Sequence, residues 1–273
     1  VKHIFSSSAP IQIVDVGASA IEDKPVYDSL VDDGLARVTG FEPAPEEFER
    51  LKDLASESRR YLPYALGDGT EQTLHVCQAP GMTSLFEPDM DHLSHFHGFE
   101  DWAKVVDRLP IQTYRLDDLA EIESIDFLKI DTQGAEHQII DNGREKISEA
   151  VALHIELSFK PLYYGERPFG EVDILLGDLG FVLHTITEAK QRAFRPMIFN
   201  NSIYEGRHHI QQVDAVYIKD FQTFSALPPE KLRHLGALMH YCYASWDLAH
   251  LALQRHDEQT GGDLAPQYMK ALS

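Results

Sequence analysis

Apolar runs and amphipathic stretches alternate along most of the chain. IQIVDVG, from Ile11, reads as a buried strand that stops on Asp-Val-Gly, and LARVTGFEP, from Leu35, as a second that stops on Glu42-Pro43. RRYLPYALGD, from Arg59, is a third short strand with a Gly turn. Between them, residues 22–33 predict a helix with Val26, Leu30 and Val31 inward, and PEEFERLKDLASES predicts another whose early acids suit the helix dipole. TLHVCQ alternates like an edge strand, and residues 89–98 read as a loop carrying His92, His95 and His97. IQTYRL, from Ile111, leads into IDFLKIDTQGAE, from Ile125, the clearest buried strand, which again ends on an acid followed by Gly. AVALHIEL, from Ala150, is a further buried strand, and a helix follows over residues 169–179. FVLHTITE and VDAVYIKDF then predict an antiparallel pair that closes the sheet edge. In the tail, residues 228–255 form one long helical pattern with Leu232, Leu235, Leu238, Met239, Cys242 and Trp246 on a shared face. That face either packs on the core or makes a homodimer contact.

Strand and helix in repeated alternation predict an α/β fold: a doubly wound, mainly parallel sheet with an antiparallel edge strand and a C-terminal helical extension. The expected division is a main domain over residues 1–225 and an extension over 226–273 packed on it. An apolar fraction of 43% supports a sizeable core. The net charge of −20, with no basic cluster, argues against nucleic acid and anionic membrane surfaces as partners. No apolar run reaches the ~18 residues needed to span a bilayer. The two cysteines, Cys77 and Cys242, lie far apart and fit a reducing compartment, so the expected location is cytoplasmic. VKHIFSSSAP has no apolar signal core, although a leader already removed would leave no trace.

The strands end in acids: Asp15, Glu42, Asp131 and Glu156. Ligands of open parallel sheets bind outside the carboxyl ends of the strands, and a core strand gains nothing from an unpaired buried carboxylate. A set of acids along one rim therefore predicts a site. DVGASA, from Asp15, resembles the first turn of a nucleotide-binding fold but holds only Gly17 of the glycines a pyrophosphate demands. S-adenosylmethionine has no pyrophosphate, and its ammonium and sulfonium tolerate nearby acids. Glu42, ending the next strand, can accept hydrogen bonds from ribose hydroxyls, and the turn of Ala65, Leu66, Gly67 and Asp68 is placed to flank an adenine.

With DVGAS at Asp15, GFEP at Gly40, ALGDG at Ala65, TSLF at Thr83, LDDL at Leu116 and IDFLKIDTQGAE at Ile125, the chain resembles the FkbM family of S-adenosylmethionine-dependent methyltransferases over roughly residues 11–221. The resemblance implies a Rossmann-like methyltransferase fold and methyl transfer to a hydroxyl of a small polar acceptor, a sugar or natural product. It places Asp15, Gly17 and Ala18 beside the methionyl group, Glu42 and Pro43 at the ribose, and Ser84 among the cofactor contacts. Asp131 falls at the reaction centre. The chain departs from the family pattern at Ser19-Ala20-Ile21, where Asn and a second Gly are usual, and at Gln133, where an acid is usual.

In-line methyl transfer requires an aligned nucleophile and often a proton acceptor. Asp131, His154 and Glu156 are the candidate catalytic residues; His154 and Glu156 share a strand face, and either can orient Asp131. Lys129 shares a face with Asp131 and reads as its ion-pair partner. Gln133, Tyr163 and Tyr164 are candidate substrate contacts, with Phe159 and Phe169 nearby. The acids with His154 are also a conceivable divalent-metal site, but no metal motif is present. Two other functions are compatible with the incomplete first motif: a catalytically silent adenosine-binding or scaffold domain, and an NAD-linked oxidoreductase.

Overall fold

The apolar runs pair into a single seven-stranded sheet because their hydrophobic residues serve both faces. A computed structural model describes residues 1–6, 9–18 and 24–273, so the departure at Ser19-Ala20-Ile21 and the start of the helix expected over 22–33 lie outside the described residues. The sheet strands are β1 (Ile11–Val16), β2 (Ala36–Phe41) and β3 (Arg59–Leu62), then, after an insertion, β7 (Phe127–Ile130), β8 (Ala152–Ser158), β9 (Phe181–Gln191) and β10 (Ile210–Lys219). Their order is β3-β2-β1-β7-β8-β10-β9. Every pairing from β3 to β8 is parallel, whereas β10 runs antiparallel to both β8 and β9. The reversed strand is therefore β10, one place in from the edge, and the edge strand β9 points the same way as the parallel core. Strand order reverses between β1 and β7, the position where doubly wound sheets open a ligand crevice.

The insertion holds β4 (Ala65–Leu66), β5 (Glu71–Cys77) and β6 (Val105–Tyr114), which form a separate three-stranded sheet. It also holds α4 (Met90–Leu93) and α5 (Phe99–Trp102), so the stretch read as a histidine loop is partly helical. Phe96, Phe99, Leu93, Met82 and Tyr163 pack there as a small core of their own.

Helices cover both faces of the main sheet. On one face α6 (Glu136–Asp141), α7 (Arg144–Ile147) and α8 (Phe169–Asp178) meet Val14, Val16, Leu128, Ile130, Leu153 and Ile155. On the other, α1 (Lys2–Phe5), α2 (Asp28–Asp32), α9 (Pro229–Tyr243), α10 (Trp246–Thr260) and α11 (Leu264–Leu272) meet Ile13, Phe127, Ala152 and Ile218. The remaining helix, α3 (Pro45–Lys52), opens with Pro45 followed by Glu46 and Glu47, as the dipole favours, and ends earlier than its pattern suggested. The tail differs most from expectation. The pattern expected as one helix over residues 228–255 is two, α9 and α10, broken where Ala244 takes a left-handed conformation (φ 51°), and α11 follows beyond it. Leu232, Leu235, Leu238 and Met239 are buried within the chain, so the face expected to pack or to dimerise packs inward, and Trp246 opens the next helix half-exposed.

Candidate active site

Side chains alternate across a strand, so every second residue of each strand shares a face. On the face covered by α9, the N-terminal halves of the strands are apolar: Ile13, Phe127 and Ala152, with Ile218 of the reversed β10 beside them. The same face turns polar at the carboxyl ends, where Asp15, Lys129 and His154 are registered neighbours on β1, β7 and β8. One step further out, Glu156 on β8 lies opposite Asp214 on β10, which lies opposite Glu188 on β9. Asp15 and Asp131 thus stand at the carboxyl ends of β1 and β7, between which strand order reverses, with Glu42 after β2 and Glu156 on the neighbouring β8.

Asp15 is buried and accepts a hydrogen bond from the Tyr27 phenol. Lys129 Nζ lies 3.5 Å from its Oδ1, an oxygen with no hydrogen-bond donor among the described residues. Among the described residues Lys129 therefore pairs with Asp15 rather than with the expected Asp131. Gly17 turns the chain at the end of β1 with φ 80°, and a Cβ there would fall 1.9 Å from the carbonyl oxygen of Asp131. Only glycine permits that approach. Gly17 and Ala18 both donate their N–H to the Phe41 carbonyl, which draws the end of β2 to the same turn. Glu42 follows directly and accepts from the Ala44 N–H at 2.6 Å, with Pro43 between them.

Ala65 and Leu66 are buried in β4, and the turn beyond is tightly built, since a Cβ on Gly67 would meet Thr113 at 2.9 Å. Asp68 accepts from the Thr70 N–H at 2.9 Å and Thr70 Oγ1 at 2.7 Å, and from Gln72 at 2.9 Å. Burial opposes its charge, but these hydrogen bonds prevail and hold the carboxyl down at about 2. Ser84 is buried and donates to the Gln133 carbonyl at 2.6 Å, joining the insertion to the loop after β7.

Gln133 is the hub of that loop. Its Nε2 donates to Asp131 Oδ1 at 2.7 Å and to Glu156 Oε2 at 2.8 Å, bridging the two acids. The Tyr163 phenol, itself buried, donates to the Met82 carbonyl at 3.2 Å and lies 3.4 Å from Gln133 Oε1. Tyr163 thus steadies Gln133 from behind, while Tyr164 projects toward solvent and Phe159 stacks on Phe169. The expected pocket lining is divided: one tyrosine is interior and the other is on the surface. Glu136, fully enclosed, accepts from Thr132 and from the Gly134 N–H; burial and the nearby Glu166 raise its carboxyl to about 7.

His154 pairs with the Tyr243 phenol at 3.1 Å, not with Asp131. Burial, aided by Lys129, depresses its pKa to about 4, so the ring is neutral near pH 7. Glu156 reaches Asp131 only through Gln133, expected from the sequence as a substrate contact, and it also accepts from Lys190 and, at 3.0 Å, from Gln212. Burial and Asp131 push Glu156 upward against the pull of Lys190. The histidines 92, 95 and 97 make no metal cluster: among the described residues no group of His, Cys, Asp and Glu is arranged to hold an ion, and His92 is tied to the Pro161 carbonyl at 2.8 Å. A cleft of about 730 Å³ opens at the opposite end of the sheet, where Asp126 accepts from the Gln12 N–H and pairs with Lys231 at 2.7 Å. It is remote from the strand-end acids.

The sequence from 15 to 183 matches the Methyltransferase FkbM domain. The chain belongs to the FkbM methyltransferase family. A 2-O-methyltransferase of Sinorhizobium fredii, NoeI, is 34% identical over 153 residues, which span 52% of this chain and 61% of that relative. Among solved structures, magnesium protoporphyrin IX methyltransferase of Synechocystis aligns with 77% of this chain and 71% of its own at 11% identity and a TM-score of 0.38. Fibrillarin of Methanococcus jannaschii aligns with 77% and 68% at 15% identity and a TM-score of 0.39. No described helix of this FkbM domain is long and apolar enough to cross a membrane. Sequence reasoning missed Lys190, Gln212 and Asp214, which complete the acid cluster, and Tyr27 and Tyr243, which partner Asp15 and His154. The alternation in β9 and β10 was the one available signal. It marks their faces but not which residues oppose Glu156.

Proposed function

We propose that this FkbM domain transfers a methyl group from S-adenosylmethionine to a hydroxyl of a small polar acceptor. The observation that carries the reading is the contact of the Gly17 turn with the Asp131 backbone. It makes the expected cofactor turn and the expected acceptor acid contiguous. The residues present suit the cofactor. Asp15 places a buried carboxylate, shared with Lys129 and Tyr27, at the end of β1, Glu42 stands at the end of β2 for ribose hydroxyls, and the Asp68 turn offers a rigid edge for a purine. A rim of carboxylates favours a sulfonium ligand over a pyrophosphate. The 2-O-methyltransferase relative supports oxygen as the acceptor atom.

When bound, S-adenosylmethionine supplies an electrophilic methyl group. Asp131 accepts the acceptor's hydroxyl proton and fixes its oxygen in line. Gln133 holds Asp131 by its Nε2, and the neutral His154 adds no competing positive charge beside it.

Calorimetry with S-adenosylhomocysteine tests the cofactor half: wild type binds, and Glu42→Ala loses about 1.5–3 kcal/mol, the scale of charge-assisted hydrogen bonds. Asp131→Asn retains that affinity but lowers methyl transfer to a panel of sugars and polyols by about 10²–10⁴-fold. Absence of S-adenosylhomocysteine binding by the wild type overturns the assignment.

A further inference from the structure

Glu156, Asp214 and Glu188 stand directly opposite one another across β8, β10 and β9, and Asp131 extends the row through Gln133. Like charges opposed on adjacent strands repel, and burial raises the cost. Glu156 is the most enclosed of them. Lys190, opposite Gln212 on β10 and diagonal to Asp214, sends its ammonium into this row and pairs with Glu156. Burial works against its charge, yet Glu156, Asp214 and Asp131 outweigh that effect. The groups facing Glu156 are Asp131 and Gln133 from the loop after β7, Lys190 and the more distant Glu188 from β9, and Gln212 and Asp214 from β10. The buried Tyr163 phenol lies beyond the Gln133 amide.

We infer that Lys190 is the positioning residue of the acceptor site: it sets the pH at which Glu156 becomes a carboxylate, and the carboxylate fixes the Gln133 amide that orients Asp131. The inference rests on the reading of Asp131 given above. A carboxylate can only accept, so an ionised Glu156 requires Gln133 to present N–H to it, and the second N–H of the same group reaches Asp131. A Glu156 protonated on the oxygen that faces Gln133 donates from it instead. The amide then turns its oxygen to Glu156, and the N–H to Asp131 is lost. Lys190 thus sets the direction of the whole hydrogen-bond chain.

Carbon-13 NMR of protein labelled at the glutamate carboxyl reads this without an acceptor, the Glu156 signal being assigned by its loss in Glu156→Gln. Lys190→Met should raise the Glu156 midpoint by about one to three pH units. Lys190→Arg should leave it near the wild-type value, and Asp214→Asn should lower it. As Glu156 titrates, the Gln133 side-chain amide signals should move with a reversal of the amide, its protons losing their nuclear Overhauser contacts to Asp131, which a merely structural ion pair would not cause. An unmoved midpoint in Lys190→Met, or amide signals indifferent to the titration, overturns the inference. Where Lys190→Met does not fold, Lys190→Gln decides, and an unmoved midpoint there has the same consequence. Calorimetry with S-adenosylhomocysteine on the same samples keeps the two proposals apart. Loss of binding by the wild type counts against the cofactor reading, whereas the Lys190 inference is decided by the NMR alone.

Discussion

His154 is polar, buried and uncharged at once, and each property follows from its neighbours. Tyr243 supplies a hydrogen-bond partner, Lys129 in register on β7 repels a second positive charge, and burial removes water from the ring. Its pKa falls from 6.5 in the unfolded chain to about 4 in the fold. The unfolded state therefore takes up the proton first as pH drops, and the native state loses stability from about pH 6.5 down to about 4. A shift of this size is worth about 3 kcal/mol at full effect. His154→Gln keeps a partner for Tyr243 and does not titrate. Subtracting its melting-temperature profile from that of the wild type should leave a fall confined to that window; a flat difference would refute the assignment. At this scale the sequence revealed residues that close apolar runs: Asp15, Glu42, Asp131 and Glu156 each end one. It concealed Lys190 and Asp214, because nothing in ITEAKQ or VDAVY separates a solvent-facing charge from one paired across a sheet. Their pairing depends on the register of β9 with β10, which shifts at irregularities between Asp214 and Ala215 and between Val216 and Tyr217.

At the scale of elements, the same division holds between periodicity and termination. The buried strands and the helix α8 follow their patterns closely, since burial on a fixed face demands the period that is read. Helix ends follow weaker signals. The break between α9 and α10 carries neither Gly nor Pro. Ala244 adopts the left-handed conformation there, and the Ser245 N–H closes the turn on the Met239 carbonyl at 3.0 Å. An L-residue is strained in that conformation, and alanine has no side-chain polar group to offset it. Ala244→Gly relieves the strain but gives the unfolded chain more freedom, so the expected net gain is about 0.5–1 kcal/mol. In a chain of this length that raises the melting temperature by about 2 °C. An unchanged or lower midpoint would mean that the hairpin is held by packing strong enough to make the cap irrelevant.

For the whole molecule, the two faces of the sheet have different tasks. The face under α6, α7 and α8 is apolar along the central strands at Leu128, Ile130, Leu153 and Ile155, while the face under α9 is apolar at one end and carries the acids at the other. The division expected at residue 225 treats the tail as an extension, yet its side chains complete a layer. Leu232, Leu235, Leu238, Met239, Ala249, Ala252 and Leu253 are fully buried in one cluster with Phe127, Ala152 and Ile218 of the sheet. A buried leucine contributes roughly 1.5–3 kcal/mol, against a total folding margin of about 5–15 kcal/mol. We therefore propose that residues 226–273 are part of the same folding unit. A chain ending at 225 should show no cooperative thermal transition and should bind a dye for exposed apolar surface. Removing only α11 is a milder change: it withdraws Ala265 and Tyr268 from the cluster and the Tyr268 phenol from His240, 2.9 Å away. That shorter deletion should fold with a lowered melting temperature and unaltered S-adenosylhomocysteine affinity, because α11 lies on the apolar part of the face and not among the acids. A cooperative melt from the 225-residue chain, with its aromatic circular dichroism intact, would show instead that the α/β sheet closes its own core and that the helices are an appendage.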